Sequence, residues 1–174
     1  MAIIKGSIKN ILVLNFSAIG DAVSSSVVIN HLKETYAMID LAVPPKIGEL
    51  FAADPSINLI DPKDAGLKSY DLFVDLTSSK STRAIASGVR AKIKVARIWN
   101  IWQKIMSLLT YNAFVEGYRG HIVEDYYPIL EYLGCKEKPA PRLMRLENAG
   151  VIEKITRLSG GGKIAAIHIG SQNK

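Results

Sequence analysis

The sequence has almost no cysteine, no long apolar run and no nucleotide-binding glycine motif. Its 174 residues contain one cysteine, Cys135, so the chain can form neither an internal disulfide nor a zinc site built on paired cysteines. Its apolar runs all fall short of the roughly 18 residues that a transmembrane helix needs. Residues 1–9 also lack the apolar stretch of a secretory signal. These absences favour a globular protein of the cytosol.

The sequence lacks the glycine motifs of common nucleotide-binding folds, whereas its net charge excludes few functions. A G-x-G-x-x-G motif does not follow the first apolar run, and there is no Walker motif. The sequence therefore lacks the usual fingerprint of a dinucleotide-dependent oxidoreductase, which makes that function less favoured. The formal net charge of +6 favours anionic partners, such as phosphorylated substrates, anionic membrane surfaces or nucleic acid. The charge alone does not choose among them.

Short apolar runs alternate with helical patterns in the first part of the chain. Such runs are typical of strands that are buried on both faces. Strands are predicted at residues 10–16, 39–43, 57–60, 71–76 and 92–96, and helices at residues 22–36, 47–53 and 79–88. This alternation, with short connections, predicts an α/β fold with a parallel sheet flanked by helices.

The pattern changes after the fifth predicted strand. Residues 98–114 are apolar and aromatic, and one helical face is formed by Ile98, Ile101, Trp102, Ile105, Leu108 and Leu109. We expect this face to pack on a core or as a lid. The alternative is that the face lies on a membrane surface, with Arg97 and Lys104 at the lipid headgroups. A helix over residues 121–133, ended by Gly134, a helix over residues 147–158 and a strand over residues 163–169 follow.

The first strand-to-helix junction is the richest candidate site. Ser17, Gly20 and Asp21 follow the first strand, and ligands of open parallel sheets bind at the carboxyl ends of the strands. The next helix offers free N–H groups, which would also keep the Asp21 carboxylate ionised. An ionised carboxylate in a cleft can accept a proton from an attacking hydroxyl. The alternative is that Asp21 is only the N-cap of the helix.

A second candidate site follows the fourth strand, where Ser79, Lys80 and Arg83 begin a helix. Hydroxyl and basic groups at such a place can bind an anion. The alternative is a capped helix with a solvated basic face. His121, Glu124 and Asp125 are too few for a metal site without a partner motif, so we expect capping or packing roles and no metal.

Taken in order, these segments resemble the family-nine glycosyltransferases, the heptosyltransferases of lipopolysaccharide core assembly. The resemblance rests on the Ser-x-x-Gly-Asp turn at residues 17–21 and the Tyr-Asp-x-x-x-Asp-Leu run at residues 70–76. It also rests on the His-x-x-Glu helix that starts at residues 121–124 and ends in the Leu-Gly of residues 133–134. The strand and turn of residues 164–171 resemble the opening of the family's second domain.

This resemblance implies a GT-B architecture made of two Rossmann-like domains, of which this chain supplies the N-terminal half. Residues 1–146 would form the acceptor-binding domain, and residues 147–174 a linker helix and the first strand of the donor-binding domain. Asp21 would be the general base. The other substrate-binding positions would be Ser17, Gly20, Ser79, Lys80, Arg83 and His121.

The implied reaction moves a sugar from a nucleotide-sugar donor, such as ADP-heptose, to a lipopolysaccharide core acceptor, with no cofactor. The partners would be a lipid-linked saccharide, a nucleotide sugar bound by the second domain, and the cytoplasmic face of the inner membrane, but not nucleic acid. We expect the 174-residue chain alone to be inactive. The alternative is a stand-alone flavodoxin-like module that binds an anionic small molecule or a lipid headgroup without catalysis.

Overall fold

The computed structural model describes residues 8–36, 38–117, 123–136 and 138–141. The strands are β1 (Ile11–Leu14), β2 (Ile39–Ala42), β3 (Ile57–Ile60), β4 (Ser69–Asp75), β5 (Arg90–Ile98) and β6 (Ala113–Glu116). The α-helices are α1 (Ile19–Tyr36), α2 (Pro45–Gly48), α3 (Lys80–Gly88), α4 (Ile101–Ser107) and α5 (Tyr127–Tyr132). Short 3-10 helices cover Pro62–Gly66 and Glu124–Tyr126.

The strands form one parallel sheet in the order β3-β2-β1-β4-β5-β6. This is the order of doubly wound dinucleotide-binding folds, in which the direction of winding reverses between the first and fourth strands. The sequence-based prediction of a Rossmann-like α/β fold is confirmed. The reversal matters for function, because ligands of such sheets bind outside the carboxyl ends of the strands at this point.

Each face of the sheet carries its own apolar core. Alternate residues of β1 divide between the faces, with Val13 in one core and Leu12 and Leu14 in the other. Helices α1 and α5 cover the first face, with buried side chains that include Val28 and Ile129. Because both faces are covered, the central strand β1 is apolar and buried throughout, as the sequence indicated.

Residues 98–114 differ from their predicted structure. β5 continues to Ile98, α4 is short, and the segment ends in β6, a strand that the sequence analysis did not predict. Of the predicted helical face only Ile98 is buried, whereas Trp102 is 72% exposed and Leu109 is fully exposed. The expectation of core packing is therefore wrong for this face. The described residues contain no helix that is both long enough and apolar enough to cross a membrane.

Three further helices differ from their predicted bounds, and one of them, predicted over residues 47–53, is the four-residue α2 at Pro45–Gly48. α1 begins at Ile19, inside the turn that was predicted to precede it. The described part of the predicted helix over residues 121–133 consists of a 3-10 turn followed by α5, and its chain reverses at Gly134 with a φ of 85°. A positive φ suits glycine at the end of a helix. The described residues do not include His121 or the elements predicted over residues 147–158 and 163–169.

Candidate functional site

The loop after β1 is held by the buried amide of Asn15. Its Nδ2 donates to the Oγ of Ser25 in α1 over 2.8 Å. Its Oδ1 accepts from the hydroxyl of Ser17 at 2.5 Å and from the backbone N–H of Ser17 at 3.2 Å. The Ser17 side chain therefore fixes the turn that leads into α1. Its role in substrate binding stays a prediction.

Asp21 lies half-buried in the first turn of α1, at the carboxyl edge of the sheet. The first helical hydrogen bond runs from the N–H of Ala22 to the carbonyl of Ala18 over 2.8 Å, so Ala18 is the N-cap. The alternative in which Asp21 is only an N-cap is therefore wrong. Its place in the first turn still gives its carboxylate a favourable interaction with the helix dipole.

Gly20, the neighbour of Asp21, leaves open space above this turn. Among the described residues, no atom would lie within 4 Å of a Cβ added to Gly20, so no contact with them requires a glycine there. The N–H groups at the start of a helix have no acceptor within the helix. The turn is therefore accessible to a ligand that approaches α1 along its axis.

The loop after β4 is built around Asp75, which is fully buried. Its Oδ1 accepts from the backbone N–H groups of Thr77 and Ser78 at 2.9 and 2.8 Å, and its Oδ2 accepts from the Tyr111 hydroxyl at 2.5 Å. Burial raises the pKa of Asp75, although these hydrogen bonds oppose the shift. The backbone N–H of Phe16 donates to the Thr77 hydroxyl over 2.8 Å. The two loops beside the winding reversal are thus joined.

The basic segment after β4 is only partly available for binding. The Ser79 hydroxyl accepts from the N–H of Thr82 over 3.1 Å and is the N-cap of α3, as the alternative interpretation held. Lys80 is exposed and Arg83 is half-buried. Burial does most to raise the pKa of Tyr111, and the positive charge of Arg83 opposes that shift. Arg83 therefore lies near the Asp75 loop, and an anion-binding role for Lys80 and Arg83 stays a prediction.

A buried arginine at the end of β5 completes the edge. Arg97 is 7% exposed, and its guanidinium carbon lies 4.4 Å from the ring centre of Trp99 and 4.3 Å from that of Tyr126. Its buried Nε has no hydrogen-bond partner within the part of the chain that the structure describes. Burial does most to raise the pKa of Tyr126, the charge of Asp21 adds to the rise, and the charge of Arg97 opposes it. A hydrogen bond with Arg97 also opposes the rise in the pKa of Tyr126, and the charge of Asp125 adds to it, so Tyr126 lies near charges of both signs.

Sequence reasoning missed the role of Arg97, which it treated only as a flank of the apolar segment after it. Its signal was weak, because Arg97 follows Arg90, Lys92 and Lys94 in the same stretch. Tyr126 gave no comparable signal, since an aromatic residue in a helical pattern usually packs in a core. Its contact with Arg97 depends on the unpredicted path of the chain through β6.

An apolar pocket of about 870 Å³ lies beside the Ser17 turn, at the carboxyl ends of β1, β2 and β3. Phe16 and Ile85 belong to its lining and connect it to the loop after β1 and to α3. The remaining lining residues are Val43, Pro44, Pro45, Gly48, Glu49, Ala52, Leu59, Ile60, Asp61, Pro62 and Lys63. Its volume and apolar walls are those of a small-molecule site.

The described residues show no metal-ligating cluster of three or more His, Cys, Asp and Glu side chains. The predicted ligand-binding residue His121 lies outside the described residues. The site is thus an edge of a Rossmann-like sheet with one carboxylate at a helix start, one buried guanidinium and one apolar pocket. Such a combination favours the binding of an organic ligand at the carboxyl edge of the sheet.

Several solved structures of glycosyltransferases are similar to this chain. The glycosyl transferase family 9 protein from Veillonella parvula DSM 2008 superposes with a TM-score of 0.71 over 94% of this chain, at 17% sequence identity. E. coli heptosyltransferase WaaC with ADP-2-deoxy-2-fluoro heptose has a TM-score of 0.61 over 76% of this chain, at 14% identity. E. coli ADP-heptose lps heptosyltransferase II has a TM-score of 0.58 over 86% of the chain, at 16% identity.

These likenesses confirm the predicted resemblance to family-nine glycosyltransferases at the level of the fold. The chain spans about half the length of the structures it matches, namely 54% of the Veillonella protein and 50% of each E. coli enzyme. No protein-family model and no curated protein matches the sequence. The neighbours therefore establish a glycosyltransferase-like fold, and the reaction has to be argued from the site.

Proposed function

We propose that this chain supplies the acceptor-binding half of a heptosyltransferase-like glycosyltransferase in which Asp21 is the general base. The observation that carries the proposal is the place of Asp21 in the first turn of α1, beside the winding reversal of the sheet and below the open space at Gly20. A base has to reach the hydroxyl that it deprotonates, and this turn is accessible from the ligand-binding edge.

In the proposed reaction the Asp21 carboxylate accepts the proton of an acceptor hydroxyl. The hydroxyl oxygen then forms a bond to the anomeric carbon of the donor sugar. The bond between that carbon and the nucleotide diphosphate breaks, and the diphosphate leaves with the electron pair. No metal or other cofactor takes part in this scheme. The protein's contribution is to hold both sugars in the geometry for attack.

The proposed donor is a nucleotide sugar such as ADP-heptose, and the proposed acceptor is a lipopolysaccharide core saccharide. The neighbouring structure WaaC was solved with ADP and with an ADP-heptose analogue, which supports this class of donor. In the two-domain arrangement that the resemblance implies, the second domain holds the nucleotide. Residues 147–174 would begin that domain.

Two apolar features support an acceptor linked to a lipid. The pocket next to the Ser17 turn suits an uncharged, apolar part of the ligand. The exposed face of α4 and the turn after it carries Trp102, Met106 and Leu109, and the only charge on α4 is that of Lys104. We propose that this face lies on the anionic cytoplasmic surface of the inner membrane, since apolar and basic side chains together favour such a surface.

The decisive experiment replaces Asp21 by Asn in a protein that contains both halves. Turnover should fall by about a hundredfold or more, which is the usual effect of losing a general base. Thermal stability should change little, because Asp21 is not the N-cap and makes no ion pair among the residues described. Normal turnover in the Asn variant would remove Asp21 from the mechanism.

A further inference from the structure

The apolar pocket beside the Ser17 turn lies where two of the elements that connect the strands are short. Parallel strands are usually joined by roughly a dozen residues or more that form an α-helix. The connection from β3 to β4 spans residues 61–68 and contains only the 3-10 helix Pro62–Gly66, and α2 has only the residues Pro45–Gly48. Such short elements leave a space of about 870 Å³ open at the carboxyl ends of β2 and β3.

The walls of the pocket consist mainly of hydrocarbon side chains. They include those of Phe16, Val43, Pro44, Leu59, Ile60 and Ile85. The charged residues of the lining are Glu49, Asp61 and Lys63, which are all exposed and lie at the rim. Because the rim carries both signs of charge, it favours no particular headgroup. The described lining contains no buried polar side chain that could orient a sugar or a base.

The backbone of the α2 wall is already hydrogen-bonded. The Pro44 carbonyl accepts from the N–H groups of Ile47 and Gly48 at 2.9 and 3.0 Å. The Pro45 carbonyl accepts from the N–H of Glu49 at 3.2 Å, and neither proline has an N–H of its own. This wall therefore offers few polar groups to a ligand.

The opposite wall is similar. The N–H of Phe16 donates to the Thr77 hydroxyl over 2.8 Å. The N–H of Lys63 donates to the Asp61 carboxylate over 2.9 Å, and Pro62 has no N–H to donate. A sugar, a nucleobase or a peptide group buried here would lose hydrogen bonds to water without replacing them, which is unfavourable. The lining thus favours a hydrocarbon ligand.

We propose that this pocket binds one unbranched acyl chain, whose polar end stays in solvent at the rim. Among the described residues of the lining only Phe16 is aromatic, so a flat ring system would find no second ring to stack on. The chain comes from a membrane phospholipid or from the lipid of the acceptor. The second source rests on the proposed function, whereas the hydrocarbon site stands on its lining alone. Asp21 is not part of that lining.

The test titrates the 174-residue chain with octanoate, decanoate and dodecanoate by calorimetry, below the concentrations at which they form micelles. Each added methylene should tighten binding about fourfold until the pocket is full, because every buried methylene contributes a similar free energy. Decanol should bind about as tightly as decanoate, since the rim does not distinguish headgroups. The flat aromatic carboxylate 2-naphthoate should bind more weakly than decanoate.

Two substitutions locate the bound chain. Leu59→Asp places a charge in the wall and should weaken decanoate binding by about tenfold or more. It should fold, because Leu59 is 37% exposed on the edge strand β3. Leu67→Asp is the matched control, since Leu67 is 73% exposed outside the lining, and it should bind as the wild type does. If Leu59→Asp does not fold, Ala52→Trp serves instead, because it fills part of the pocket from an exposed position and should lower the chain length at which affinity stops rising.

Two further measurements identify the source of the chain. Sedimentation with phosphatidylglycerol vesicles that is weakened by Leu59→Asp but not by Leu67→Asp indicates a membrane phospholipid. In a protein that contains both halves, a KM that Leu59→Asp raises for an acylated acceptor but not for a deacylated one indicates the acceptor lipid. If neither measurement responds, the ligand is a free fatty acid.

Several outcomes would overturn the proposal. They are an affinity that does not rise with chain length, tighter binding of 2-naphthoate than of decanoate, and equal binding of decanoate by Leu59→Asp and Leu67→Asp. Lipid-free dimers that Leu59→Asp dissociates would also overturn it, because a second copy would then fill the pocket. The general base is tested separately. If Asp21→Asn keeps its turnover while decanoate binds as expected, the acyl site stands and the proposed base does not.

Discussion

At the scale of single residues, the family-like motif at residues 70–76 stabilises the fold through its hydrogen bonds. The Tyr70 hydroxyl donates to Asp40 over 3.0 Å, and Asp71 accepts from the N–H groups of Lys9 and Asn10 at 2.8 and 3.1 Å. Asp75 closes the loop at the other end of the same strand. The aspartates of the motif therefore hold the two ends of β4. The motif marks the fold, and the chemistry has to be sought elsewhere.

The Tyr111 hydroxyl should contribute most to the free energy of unfolding when Asp75 is ionised. Tyr111→Phe removes a donor from a buried carboxyl, and we expect it to lower the free energy of unfolding by about 1.5–3 kcal/mol at neutral pH. Burial raises the folded-state pKa of Asp75, so its contribution to stability is present below the unfolded pKa and is lost as the pH rises through the folded pKa. The variant has an even higher folded pKa, so its deficit should grow with pH.

Urea unfolding at several pH values measures this deficit for Tyr111→Phe. Tyr132→Phe is the control, since no hydrogen bond joins the Tyr132 hydroxyl to another described residue. That variant should show a small deficit that does not follow the ionisation of Asp75. A Tyr111→Phe deficit that shrinks as the pH rises would contradict the stabilisation of the ionised Asp75 carboxylate by the Tyr111 hydroxyl.

Ser78 carries two unfavourable features that a substitution can separate. Its φ of 51° is in the left-handed region, and its buried hydroxyl has no hydrogen-bond partner among the residues described. Ser78→Gly removes both, and we expect it to raise the free energy of unfolding by about 1 kcal/mol. Ser78→Ala removes only the hydroxyl, so the difference between the variants measures the backbone strain.

Thermal and urea unfolding of the two Ser78 variants provide this comparison. A Ser78→Gly variant that is less stable than Ser78→Ala would show that the backbone is not strained. Strain of this kind is often kept at functional sites. A stabilised glycine variant that loses ligand binding would therefore give the Ser78 hydroxyl a role at the edge of the sheet.

At the scale of whole elements, the first five strands could be predicted and the sixth could not. The runs at β1 and β4 are apolar and bounded by turn residues, and such runs are strong signals of buried strands. β6 has only four residues, of which Val115 alone is buried, so its pattern is weak. The helical spacing of residues 98–109 correctly indicated a helix, but that helix is short and its apolar face is exposed. Local periodicity does not show whether a face meets a core.

The same limit applied to the candidate site. Ser17, Gly20 and Asp21 could be predicted because they directly follow a strong strand. The contact between Arg97 and Tyr126 could not, since it joins residues that are far apart in the chain. Such contacts depend on packing, which composition and spacing do not contain.

The exposed face of α4 should bind membranes if the proposed orientation is right. We expect the protein to sediment with vesicles that contain phosphatidylglycerol, and added salt should weaken the binding because basic side chains contribute to it. Replacing Trp102 and Leu109 together by Ser should reduce binding strongly while stability stays nearly constant, since both are exposed. Met38 and Leu67, which are exposed elsewhere, provide the matched Ser variant.

Binding that survives the double substitution at Trp102 and Leu109 would exclude α4 as the membrane contact. Vesicles of neutral lipid separate the apolar from the electrostatic contribution. Sedimentation velocity without lipid tests whether the face instead pairs two copies of the chain. Dimers that are lost in the same variant would replace the membrane proposal.

At the scale of the whole molecule, the order of the strands brings the candidate site residues to one edge of the sheet. The winding reverses between β1 and β4, and the loops after these strands are tied by the hydrogen bond from Phe16 to Thr77. Asp21 lies on the helix that follows β1, and Arg97 lies near the end of β5. Both residues therefore belong to the edge at which ligands of such sheets bind.

The 174-residue chain should bind nucleotide sugars weakly on its own. The turn after β1 has the single glycine Gly20 in place of a glycine-rich phosphate loop, and the neighbouring Asp21 carboxylate repels a diphosphate. We expect dissociation constants of roughly a millimolar or weaker for ADP and ADP-sugars in calorimetric titrations, with no sugar transfer, because transfer needs donor and acceptor positioned together. Asp21→Asn should tighten ADP binding slightly, since it removes the repulsion. Micromolar binding of an ADP-sugar by this chain would show that the donor site lies in this half, and the assignment of the acceptor to it would then be wrong.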